Sequence, residues 1–102
     1  MFFSNDDGFH GTFVIPQKTS PSIFAGRFNV APPPFNSSNV MLVYGDIQDL
    51  TGSYTIQADS AVHPTKINLG LKNEAGKELI IFADIATSFN TDYQVTGSGS
   101  WN

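Results

Sequence analysis

The chain has 102 residues, 40% of them hydrophobic, with nine Phe and no Cys. That length and apolar content suffice for one self-supporting core and exclude general disorder, while the missing cysteines exclude disulfides, thiolate metal sites, iron–sulfur clusters and Cys nucleophiles. Nine acidic against five basic residues give a net charge of −4, and no run of Lys or Arg is present to neutralise a phosphate backbone, so nucleic acid is not an expected ligand.

Residues 1–7 contain neither the basic start nor the apolar run of a signal peptide, and no later stretch is long and apolar enough to span a bilayer. The expectation is a soluble, single β domain over residues 1–102 without membrane insertion; a removed leader would leave no trace in the chain. Asn5-Asp6-Asp7-Gly8 offers hard oxygen atoms, but it lacks the spaced carboxylates of a calcium loop and reads as an Asx-type turn.

Period-2 hydropathy dominates from Phe9 onward. Residues 9–15 and 23–30 read as strands, the second with Phe24, Phe28 and Val30 on one side. Pro32, Pro33 and Pro34 then stiffen a connection that crosses between sheets or along an edge. Within it, Asn36-Ser37-Ser38 matches a glycosylation acceptor. Residues 40–44 and 79–83 are apolar without alternation. Each run is too short for an independent helix, so both read as central strands covered on two faces.

Asp46 and Asp49 bracket the loop after residues 40–44. As an acid–base pair they would need a substrate cleft between them, and the solvated reading is preferred. Residues 54–58 alternate as a half-buried strand. Single helical turns are expected at Ser60 to His63 or in residues 84–89. His10 and His63 are far apart and lack ligand spacing, and Pro64 holds His63 in an extended or turn conformation. Ile67, Leu69 and Leu71 share the inner face of the next strand, and a short loop containing Gly76 turns it back, so residues 65–84 should be antiparallel.

The last stretch places Tyr93, Val95, Gly97, Gly99 and Trp101 on one face and Gln94, Thr96, Ser98 and Ser100 on the other. Gly97 and Gly99 leave room beside large rings, to be filled by a neighbouring aromatic side chain, a ligand or another chain. About seven strands result, expected as an antiparallel β-sandwich, with a small β-barrel as the alternative.

No catalytic, cofactor-binding or metal motif is present, so a non-enzymatic role is expected. Phe2, Phe3 and Trp101 stand at the chain ends, where segments fray unless tied down. With Tyr93, Gly97 and Gly99 they are the interaction candidates. The leading expectation is a structural or assembly module, such as a virion, fibre or surface-lattice subunit. It would self-associate or join other protein subunits through β-edges and aromatic termini. Virion, cell surface and extracellular medium are the settings that suit such a module. One alternative is a carbohydrate-binding sandwich, which needs at least two exposed rings on one face from among Tyr44, Tyr54, Tyr93 and Trp101. The other is a small acidic inhibitor that mimics charge.

Overall fold

Strands with one apolar face must bury it, and a single sheet can do so by curling onto itself. The computed structural model describes residues 1–6, 8–85 and 90–102. Among them lie β1 (Phe2–Asn5), β2 (Gly8–Phe13), β3 (Ser22–Phe28), β4 (Asn36–Ser37), β5 (Asn39–Val43) and β6 (Gly52–Ile56). β7 (Ala61–Val62), β8 (Lys66–Lys72), β9 (Glu78–Asp84), β10 (Tyr93–Gln94) and β11 (Gly97–Trp101) complete the set. All pair antiparallel within one sheet, as the all-β antiparallel reading requires.

The path β1-β2-β3-β11-β6-β8-β9-β5 runs round the molecule, and β4, in the same pass of chain as β5, returns to pair with β1. The sheet is thus nearly closed and barrel-like, which favours the small barrel over the sandwich. Among the described residues its strands number eleven rather than seven. β1 lies outside the strands expected from hydropathy, and three passes are interrupted where they change neighbours: at Ser38, at residues 57–60 and at residues 95–96. The 93–101 run is therefore two strands, β10 on β7 and β11 between β3 and β6.

The inward side chains fill the barrel in two zones. Phe2, Phe9, Phe13, Phe24, Phe28, Phe35 and Trp101 form an aromatic zone under β1, β2, β3 and β11, with neighbouring ring centroids 4.9–6.5 Å apart. Ile67, Leu69, Leu71, Leu79 and Ile81 form an aliphatic zone under β8 and β9. The proline connection passes from β3, beyond β2 and β1, to β4, and inserts the buried Phe35 against Phe2 at 5.8 Å.

Closure is made at Ser37. This buried residue pairs with Phe2 of β1, while the next strand of the same pass pairs with β9. Its hydroxyl donates to the Asp84 carbonyl and accepts from Asn39 N–H at 3.1 Å, and Asn39 Nδ2 donates to Asp84 Oδ2 at 2.9 Å. One side chain thereby satisfies backbone groups that the change of partner would strand.

Other local expectations sort cleanly. Residues 66–84 form the antiparallel β8–β9 hairpin, from Lys66↔Asp84 to Lys72↔Glu78. Gly76 in its loop takes φ +83°, a left-handed turn conformation that favours glycine. Val30 lies beyond β3 and is exposed instead of sharing a face with Phe24 and Phe28. The helical turn is at Ile47–Asp49, and Ala61–Val62, within the turn expected at Ser60 to His63, is β7. The turn expected in residues 84–89 falls mostly on residues 86–89, outside the described residues.

Ser37→Ala deletes the closing hydroxyl and leaves the Asp84 carbonyl and Asn39 N–H without it. Urea unfolding should show a loss of about 1–3 kcal/mol, with faster amide exchange at β4 and β1 than at β8.

Candidate functional site

β5 and β9, with β8 beside them, carry four of the seven large hydrophobic side chains exposed among the described residues. β9 alternates strictly, with Leu79, Ile81 and Ala83 inward and Glu78, Ile80, Phe82 and Asp84 outward. On β5, Val40 and Leu42 are half-buried, and Asn39, Met41 and Val43 face out. On β8, Lys66, Asn68, Gly70 and Lys72 share the outer face. Register turns these positions into a grid. Met41 and Asn68 flank Phe82, Val43 and Gly70 flank Ile80, Asn39 and Lys66 flank Asp84, and Lys72 stands beside Glu78.

The middle of that grid is apolar and open to solvent. Met41 is 64% exposed, Val43 46%, Phe82 39% and Ile80 36%. This corrects the reading of residues 40–44 and 79–83 as strands covered on both faces: the barrel covers their inner face, and no described element lies over the outer one. Isolated exposed apolar residues need no explanation, whereas four in two adjacent cross-strand pairs form a patch. Sequence reasoning missed these four residues as a site. The signal was available, because an all-β chain has no helix with which to cover a second face.

Beside the patch is a hollow of about 470 Å³ lined by Val43, Tyr44, Gln57, Asp59, Glu78 and Ile80, with Gly70 in its wall. The bulge between β6 and β7 forms one side. Ser60 Oγ accepts from Gly70 N–H at 2.9 Å, and Gln57 N–H donates to the Gly70 carbonyl at 2.8 Å, which fixes the bulge over this glycine.

The interaction candidates lie elsewhere and are not brought together. Phe2 is fully buried between Phe9 and Phe35, and Trp101 is buried against Phe13 and Phe24. Phe3 points away from the core, its half-buried ring stacked on His10 at 5.3 Å. Tyr93 is half-buried on β10 and packs against the core. Gly99 faces the Phe24 ring, whose Cζ would stand 2.8 Å from an added Cβ, and Gly97 lies where a Cβ would collide with the Arg27 carbonyl. Both glycines are thus explained by close packing of β3 on β11. Of the four rings considered as a sugar platform, Tyr54 and Trp101 are buried, and Tyr44 and Tyr93 are half-buried.

Several of the polar candidates have structural partners. Asn5 Oδ1 accepts from Gly8 N–H at 3.1 Å across the first hairpin. His63 Nδ1 lies 2.8 Å from Asp92 Oδ1 at an exposed position. Asp46 caps the short helical turn by accepting from Gln48 N–H at 2.9 Å. The Asp49 carbonyl accepts from the Tyr54 hydroxyl at 2.6 Å. Among the described residues no group of three His, Asp or Glu side chains could hold a metal ion, and no helix is long and apolar enough to cross a membrane.

Neither a family model, nor a curated protein, nor a solved structure matches the chain. The site therefore rests on its own geometry.

Burial, and after it the Asp49 charge, raise the Tyr54 phenol above its ordinary range against an opposing hydrogen bond from Asn73. The folded state favours the protonated phenol. Its contribution is complete below the ordinary tyrosine range and is lost as pH rises through the raised folded value. Stability measured by denaturant should accordingly fall on that alkaline side. Tyr54→Phe should flatten the fall and cost about 1 kcal/mol at neutral pH through the lost hydrogen bond.

Proposed function

We propose that this protein is a non-enzymatic assembly module, and that a second copy of the chain covers the outer face of β5 and β9. The observation that carries the reading is the exposure of Met41, Val43, Ile80 and Phe82 in two adjacent cross-strand pairs. These strands have the composition of doubly buried strands while the fold supplies cover for one face.

Charge around the patch supports a second copy as the occupant. Each end carries an acid beside a lysine, Asp84 next to Lys66 and Glu78 next to Lys72. A copy related by a two-fold axis running parallel to the strands, between β8 and β9, sets each acid against a lysine and lays Phe82 and Ile80 over Asn68 and Gly70 of the other copy. A copy turned end for end lays the apolar pairs on one another but sets Asp84 against Glu78 and Lys66 against Lys72. Such exposed charges add little affinity, but they select orientation. Charge therefore favours the isologous contact that sets β9 of each copy on β8 of the other.

Eleven outward positions on three strands make a face of roughly 360 Å² per partner, a little under half that of a standard interface. The association is accordingly weak in isolation and suits repeated copies, as in a virion, fibre or surface lattice, where many contacts act together. The aromatic ends serve this role from within, holding β1 and β11 in the barrel. Removing residues 1–7 would take away β1 and Phe2 from the core, so it cannot isolate an association effect.

Sedimentation equilibrium from about 10 μM to 1 mM, a range chosen for a contact of this size, should show a reversible oligomer. Phe82→Glu, at a partly exposed position, should remain monomeric throughout with its circular dichroism unchanged and its stability within about 1 kcal/mol. A monomeric native chain at the highest concentration would refute the proposal, as would undiminished association of the folded Phe82→Glu variant.

A further inference from the structure

Most glycines inside the long strands are there because the fold leaves no room for a side chain. A Cβ on Gly11 would meet the Phe2 ring at 2.6 Å, and on Gly26 or Gly97 it would collide with a carbonyl of the facing strand. Gly70 is different. A Cβ there would lie 3.6 Å from Asp59 Oδ1, 3.8 Å from Gln57 Cβ and 3.9 Å from Ser60 Oγ, all ordinary contacts. It stands in the middle of β8 without the left-handed backbone that would demand glycine. Glycine weakens a strand interior through chain entropy and missing packing. A methyl group could be accommodated here without a close contact, and the glycine leaves the 470 Å³ hollow open. That size falls in the range of small-molecule sites.

The lining defines the chemistry. Val43 and Ile80 supply an apolar floor, and Tyr44 and Gln57 stand at the sides. Asp59 and Glu78 bring two carboxylates from different elements, the bulge and the start of β9. Neither carboxylate has a salt bridge among the described residues. Lys72, the cross-strand neighbour of Glu78, lines a separate hollow with Ser53 and Ser98. Two carboxylates that no salt bridge among the described residues engages, beside aliphatic side chains, repel anions and give a neutral apolar molecule no polar reward. They complement a cation carried on an aliphatic body.

We infer that the hollow over Gly70 binds a small organic cation, an alkylammonium or alkylguanidinium, with its aliphatic part on Val43 and Ile80 and its charged head between Asp59 and Glu78. The hollow shares Val43, Gly70, Glu78 and Ile80 with the association face, but none of its lining is Phe82. Binding can thus be measured on the Phe82→Glu chain, where its outcome is independent of whether copies associate.

The test is a titration of that chain with pentylammonium, followed by amide chemical shifts, with 1-pentanol and pentanoate as matched controls. Saturable shifts should centre on residues 43–45, 57–60, 70 and 78–80, and pentanol and pentanoate should bind at least about tenfold more weakly. Asp59→Asn and Glu78→Gln, both surface changes, should each weaken pentylammonium binding several-fold without altering stability. Gly70→Val fills the hollow and should abolish binding, and Gly70→Ala, which fits without a close contact, should fold normally and bind more weakly. Equal binding of pentanol, absence of saturable shifts in this region, or full binding by the folded Gly70→Ala and Asp59→Asn variants would overturn the assignment.

Discussion

The structure depends on the passage of one strand pass from one neighbour to another at Ser37. Up to that residue the chain is bonded to β1, and beyond it to β9, so the two ends of an otherwise open sheet share a single piece of backbone. A closed sheet has few free edges and one enclosed face, which removes both the hazard of unpaired edges and the need for a second layer. The Ser37 hydroxyl makes the passage possible because it serves backbone groups on both sides of the change. A larger apolar residue would bury those groups without partners.

Once the sheet is nearly closed, the aromatic ends acquire their role. β1 and β11 are long-range partners of strands formed elsewhere in the chain, and Phe2 and Trp101 belong to the same interior. Their order is a consequence of barrel formation. The outer surface is set by the same constraint, since a barrel covers one face of every strand and supplies nothing for the other. A strand with apolar residues on both faces therefore presents one set to solvent. This is the situation of Met41, Val43, Ile80 and Phe82, and it shifts the proposed contact between copies from the chain ends to the side of the barrel.

The glycines distinguish two uses of a missing side chain. At positions 11, 26 and 97 the space is already occupied by the protein's own rings or carbonyls, so glycine permits close approach of strands. At position 70 a methyl group would fit in ordinary contact with residues 57–60, beside a hollow bordered by carboxylates. Identical letters in similar alternating strands thus have different physical causes, and distances to neighbouring atoms separate them.

Local chemistry in the sequence determined much of the architecture. Period-2 hydropathy marks β2, β3, β6, β8 and β11, the Gly76 loop marks the β8–β9 hairpin, and the absence of helical periodicity marks the class, because side-chain alternation is a property of each strand alone. The same letters carried the apolar outer positions of β5 and β9, yet whether those positions are covered is decided by what the rest of the chain places over them. Tertiary structure alone decided barrel closure, the burial of Phe2 and Trp101, and the interruptions at residues 57–60 and 95–96. Each depends on pairing between segments distant in sequence, whose register and edge are set by the whole sheet. Gly97 and Gly70 show the same division at single-residue scale: the sequence reveals that a side chain is missing, and only the folded neighbours reveal whether its place is taken.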